Sequence, residues 1–182
     1  ELIEATGDVQ LQALERGEID AGFMLHSPGF APPGLACRRI SQDPLVVALP
    51  ERHPLANKAA LALADLLDQP LVIFPRRIVP SLYDAIFAMY HAAGQLPQVA
   101  QEAIQMQTIV NLVSAGLGVA WVPESVRQFQ RPGVVYRSLP VSKPSMRGVR
   151  GASVSVPGCE TSLVWPGASA NPALARFTSF IG

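Results

Sequence analysis

The stretch LERGEIDAGF, residues 14–23, decides how this chain is read. A short helical run stops at Gly17, and an apolar run over residues 19–25 begins two positions later. Glycine reaches the left-handed conformation that ends a helix without the penalty a Cβ would bring. A short, nearly continuous apolar run suits a strand buried on both faces. The join is therefore predicted to be the αβ half of a βαβ unit in a parallel sheet. Upstream, residues 9–16 read as the helix, with Leu11 and Leu14 on one face and Thr6 or Asp8 as its cap. Residues 2–5 read as a strand already under way. With no initiator Met before it, we expect a fragment of something longer, in which the strands at 2–5 and 19–25 want a neighbour.

The same grammar continues downstream. Residues 44–50 (PLVVALP) and 70–75 (PLVIFP) read as strands, and residues 61–67 as a short helix. Ser81 is expected to cap a helix reaching residue 93, whose stripe is Leu82, Ile86, Met89, Tyr90 and Ala93. Gly94 ends it and Pro97 blocks its continuation. A weak strand over 97–102, a helix over 106–115 with Ile109, Leu112 and Val113 on one face, and a strand over 117–123 follow. One more strand is expected at 134–139. Residues 140–159 are rich in Ser, Gly and Pro and read as a loop or linker. A late strand over 162–165 precedes a helix with Asn171 as N-cap and Pro172 at its first position.

Composition narrows the function classes. The 182 residues carry 14 basic and 14 acidic side chains, so the chain has no global field to hold a polyanion such as DNA. An apolar fraction of 49% requires a packed core. The 17 prolines argue against a long helical bundle. No apolar run is long enough for a transmembrane helix, and no signal peptide is expected. The two cysteines, Cys37 and Cys159, lack a CxxC spacing and read as buried or half-buried thiols in a reducing compartment. His26, His53 and His91 lack metal-ligand spacing, and no nucleophile elbow, dinucleotide fingerprint or phosphate loop is present. No metal, cofactor or catalytic constellation is expected.

Binding is the remaining possibility. In open α/β sheets, ligands sit outside the carboxyl ends of strands, where helix N-termini offer N–H groups to anions. The loops at 6–8, 75–81 and 102–108, with the loop after residue 25, are expected to meet in one cleft. The candidate site residues are Thr6, Gly7, His26, Phe74, Arg76, Arg77, Ser81, Gln105, Met106 and Gln107. Arg76 and Arg77 would fork onto a carboxylate. Thr6, His26 and the 105–108 segment would supply neutral donors, and Phe74 and Met106 an apolar wall. The ordinary reading of the arginines is a solvated pair, and that of the 105–108 segment is helix capping.

Four segments in order resemble one family. LERGEIDAGF, VALPERHPLA (47–56), VNLVSAGLGVAWVPES (110–125) and TSLVWPGASANPALARFTSFI (161–181) resemble the effector-binding domain of LysR-type transcriptional regulators, and together they cover most of the chain. The resemblance implies an α/β fold of two Rossmann-like lobes with an interlobe cleft, similar to type II periplasmic binding proteins. Lobe I would be residues 1–43 plus 159–182, lobe II residues 44–140, and 141–158 the crossover. It implies a small-molecule effector, an organic anion or aromatic metabolite, whose binding shifts a DNA-bound homodimer or tetramer in the cytoplasm. DNA would be touched only through the family's helix-turn-helix, which these residues do not include. The family's first strand and helix of lobe I are likewise not among them. The rival reading is a solute-binding protein of a transport system, which shares the architecture.

Overall fold

A computed structural model describes residues 1–30, 32–139, 154–168 and 171–181. The decisive stretch forms the predicted join. Helix α1 spans Gly7–Arg16, and Gly17 ends it at φ 69°. The Gly17 and Glu18 N–H groups return to the Leu14 and Ala13 carbonyls at 3.2 and 2.8 Å. Strand β1 follows at Gly22–His26. Leu14, Met24 and Val164 form a small buried cluster, with Leu11, Ile19 and Leu35 against it.

The parallel pairing expected for β1 is not what forms. Strand β2 spans Leu35–Pro50, and β7, near the C-terminus, spans Gly158–Pro166. Strand β1 runs antiparallel to β7, from Gly22 opposite Val164 to His26 opposite Glu160. An apolar strand is buried equally well in either direction, so composition alone could not choose. Residues 2–5, expected as a strand, have no ladder and are irregular. A lone extended segment gains no cross-strand bonds to offset its entropy cost.

Across the lobe boundary expected between residues 43 and 44, β2 runs as one continuous strand. The first part of β2 pairs β7, from Leu35 opposite Pro166 to Pro44 opposite Gly158, with a bulge between Arg39 and Ser41. Its last part changes partners, pairing antiparallel with β5 (Ala120–Pro123) and β6 (Val134–Arg137) on its two edges. The change coincides with burial: residues before Pro44 are mostly exposed, whereas Leu45, Val46, Val47, Ala48 and Leu49 are all buried. Polar character hid the first half of the strand from a reading based on apolar runs.

Parallel pairing occurs where β3 (Leu71–Ile73) lies beside β4 (Val99–Glu102), and Leu71 bridges Val119 in the same sense. Helix α2 (Pro80–Ala92) buries the expected residues Leu82, Ile86, Met89 and Tyr90. The Tyr90 hydroxyl accepts a hydrogen bond from the Trp121 indole N–H at 3.2 Å, both groups being buried. Helix α3 (Met106–Ser114) buries Ile109, Val110 and Val113. These elements share one large core with the second half of β2. Helix α4 (Pro172–Ile181) is capped as expected, the Asn171 amide oxygen accepting the Ala173 N–H at 2.9 Å.

Four smaller expectations change. Ser81 does not cap α2: the N-cap is Val79, and Ser81 lies in the first turn. Pro80 at the helix start moves the boundary two residues earlier, because its fixed φ is already helical. The helix expected at 61–67 is reduced to a 3-10 turn, Leu63–Asp65. Cys37 is exposed on β2, not half-buried, while Cys159 is buried. The linker expected at 140–159 lies largely outside the described residues; 154–157 are irregular, and β7 begins at Gly158.

Candidate functional site

The described residues contain a cleft of about 420 Å³ lined by Glu4, Ala5, Thr6, Ile78, Ile104 and Gln105. Three distant segments build it, and each arrives for a local reason. Thr6 is the extended N-cap of α1, and its carbonyl accepts the Gln10 N–H at 2.9 Å. Gln105 is the extended N-cap of α3, and its carbonyl accepts the Ile109 N–H at 3.0 Å. Ile78 sits in the loop that leads from β3 into α2, its N–H bonded to the Pro75 carbonyl at 3.0 Å.

Two helix N-termini thus border one cleft, and neither N-cap residue makes a side-chain capping bond. First-turn N–H groups and the helix dipole favour negative charge there. At α1 part of that demand is met internally. The Thr6 hydroxyl donates to the Asp8 carboxylate. That bond, neighbouring backbone N–H groups and Arg77 hold the Asp8 carboxyl below the ordinary carboxylate range. Opposite, the Gln105 amide donates to the Glu4 carboxylate at 3.3 Å, a contact across the cleft.

Of the candidate residues, Thr6 and Gln105 line this cleft. Gly7 adjoins it, packed so closely that an added Cβ would lie 2.7 Å from the Ile78 carbonyl oxygen. The others are placed elsewhere. Arg76 forks onto Asp84 of α2 through two hydrogen bonds of 2.7 Å, which raises the guanidinium's affinity for its proton and lowers that of Asp84. Arg77 stands 3.6 Å from Asp8. Both arginines therefore meet carboxylates of this chain. Phe74 is buried, edge-on to Tyr83, which stacks on Phe87 at 4.2 Å. Met106 packs half-buried against the large core, and Gln107 is exposed.

His26 turns inward. Its Nδ1 lies 2.8 Å from the Ser27 carbonyl, which can only accept, so Nδ1 carries the proton. Its Nε2, 2.8 Å from Ser162 Oγ, then accepts from that hydroxyl in the neutral ring. Ser81 receives the Ser27 N–H at 3.1 Å, tying the end of β1 to the first turn of α2. The pair His26 and Ser81 thus joins elements and does not line the cleft.

Sequence reading missed Glu4, Ala5, Ile78 and Ile104. All four adjoin or lie inside the loops singled out, so the loops were legible and the residues within them were not. Glu4 was hidden because residues 2–5 were assigned to a strand. Among the described residues no group of three His, Cys, Asp or Glu side chains is placed to hold a metal ion. No helix among them is long and apolar enough to cross a membrane.

The family model described as the LysR substrate binding domain matches residues 1–182. The transcriptional regulator IlvR of Caulobacter vibrioides is 42% identical over 175 residues, which are 96% of this chain and 54% of that protein. The chain therefore spans about half the length of that regulator. The crystal structure of CbnR, a LysR family transcriptional regulator, superposes with a TM-score of 0.74 at 26% identity, covering 100% of this chain and 57% of that one. The effector-binding domain of BenM with its effector benzoate superposes with a TM-score of 0.70 at 22% identity, over 100% of this chain and 76% of that one. The fold is the two-lobed, type II periplasmic-binding-protein-like arrangement, and the chain belongs to the family of LysR substrate-binding domains.

Proposed function

We propose that this chain senses a small carboxylate metabolite held in the cleft between residues 4–6, Ile78 and residues 104–105. The observation that carries the reading is that two helix N-termini, from α1 and α3, border one cleft of about 420 Å³. That volume suits a small metabolite. Thr6, Gly7 and Gln105 are its polar contacts, and Ile78 and Ile104 its apolar walls. The BenM domain solved with benzoate supports an effector of this general kind.

The lobes are residues 1–43 plus 159–182 and residues 44–140, with 141–158 as the crossover. The support is the change of β2's partners between Pro44 and Leu45. In the intact protein, occupancy of the cleft shifts the arrangement of a DNA-bound homodimer or tetramer in the cytoplasm, DNA being touched by a helix-turn-helix segment and not by this chain. The domain carries out no chemical step. Transport of a solute is not favoured, because the relatives matched are transcription regulators.

The test is thermal-shift screening of small carboxylates against the chain and its Ile104→Trp variant. Ile104 is 48% exposed, so the larger side chain fills the cleft without entering the core. Compounds that stabilise the parent and not the variant support the reading. Compounds that stabilise both equally overturn it.

A further inference from the structure

The formal charge of the cleft is the reverse of what a simple organic anion needs. Among its six lining residues one is charged, and it is an acid, Glu4. Each nearby arginine already faces a carboxylate of this chain: Arg76 faces Asp84 at 2.7 Å, and Arg77 faces Asp8 at 3.6 Å. Glu4 has no cationic partner among the described residues. Its contact is the neutral Gln105 amide, at 3.3 Å on one carboxylate oxygen. A carboxylate that lines a ligand cleft repels a plain acid and attracts a cationic N–H donor.

Resting on the effector reading above, we propose that the ligand brings an ammonium group to Glu4 as well as a carboxylate to the helix N-termini, so that its class is an α-amino acid with an apolar side chain. Ammonium and carboxylate sit on one carbon in such a molecule. Glu4, Ala5 and Thr6 are consecutive, so the residue that would accept the ammonium and the N-cap of α1 stand at most ~7 Å apart along the backbone. The side chain then faces Ile78 and Ile104, which carry no polar atoms. Gln105, as N-cap of α3 and donor to Glu4, holds the acidic oxygens in position between the two ends of the ligand.

The experiment is calorimetric titration of the full chain with three probes of one skeleton: leucine, 4-methylpentanoate, which lacks the amine, and 3-methylbutylamine, which lacks the carboxylate. The same titrations are run on Glu4→Gln and Ile104→Trp. Leucine is expected to bind about tenfold or more tighter than either truncated probe, the loss of one charge-assisted contact. In Glu4→Gln, leucine weakens by about tenfold while 4-methylpentanoate holds or tightens, which a purely structural role for Glu4 would not produce. If 4-methylpentanoate equals or exceeds leucine on the parent chain and Ile104→Trp abolishes its binding, the amino-acid inference falls and the cleft reading stands. If none of the three binds, the amino-acid inference falls and the cleft reading stands; if the probes bind regardless of Ile104→Trp, the cleft reading falls and takes the inference with it.

Discussion

Gly7→Ala tests the packing that brings the first helix against the cleft wall. Gly7 opens α1, and a Cβ there would stand 2.7 Å from the Ile78 carbonyl oxygen and 3.3 Å from the Met24 terminal methyl. The first distance falls 0.7 Å inside the 3.4 Å at which ordinary contact begins. Met24's methyl can swing aside, but a backbone carbonyl in a loop between β3 and α2 cannot, so helix and loop must part. Overpacking of this sort costs about 1–3 kcal/mol. Alanine in a helix returns up to about 1 kcal/mol in propensity, leaving a net loss of up to about 2 kcal/mol. For a chain of this size that lowers the melting temperature by up to about 4–8 °C. Because Ile78 is itself a cleft wall, ligand affinity falls with it. Gly17→Ala is the control. Gly17 has φ 69° and nothing within 4 Å of its would-be Cβ, so its cost is conformational, about 1–2 kcal/mol, and affinity is unchanged. The measurements are calorimetric melting and ligand titration of both variants. A Gly7→Ala chain with both the stability and the ligand affinity of the parent would refute the close approach.

Two further outcomes test the core. Tyr90→Phe removes the acceptor of the buried Trp121 N–H and is expected to cost about 1–3 kcal/mol, read from the urea midpoint at unchanged slope; an unchanged midpoint would show that the indole finds another partner. The thiols should separate by reactivity: Cys37 is exposed and reacts with a thiol reagent in the native state, whereas Cys159, buried with its pKa pushed up to about 12 by burial, reacts only on unfolding. A proton held more tightly in the folded state than in the unfolded one stabilises fully at lower pH. The Cys159 contribution is therefore constant below pH 9 and is lost as pH rises toward about 12, so Cys159→Ala should flatten the alkaline fall in stability. Two native-state equivalents of reagent, or an unaltered alkaline limb, would contradict this.

Features set by neighbours within one helical turn were readable from the sequence alone. Gly17 after Arg16, Asn171 before Pro172, and the spacing of Leu82, Ile86, Met89 and Tyr90 each settled a helix end or a helix face, because capping and the apolar stripe involve residues three or four apart. The cleft loops at 75–81 and 102–108 were legible for the same reason, since a strand end followed by a helix start is a local pattern, and the one at 6–8 was legible from its helix start alone.

What remained undecided lay between residues far apart along the chain. Strand β1 takes its direction from β7, more than 130 residues later, and an apolar run is satisfied by either direction. The first half of β2 is held by the same distant strand, so its polar residues gave no sign of a ladder. The arginines show the limit most plainly. Arg76 and Arg77 stood beside a helix start, as an anion site requires, but Asp84 and Asp8 claim them once the chain closes. Closure also carries Gln105 to Glu4, across 101 positions, and leaves that acid facing the cleft. Backbone propensity acts over a turn of chain, whereas Coulomb attraction and ladder pairing act through space, so only the tertiary structure could decide which charge lines the cleft.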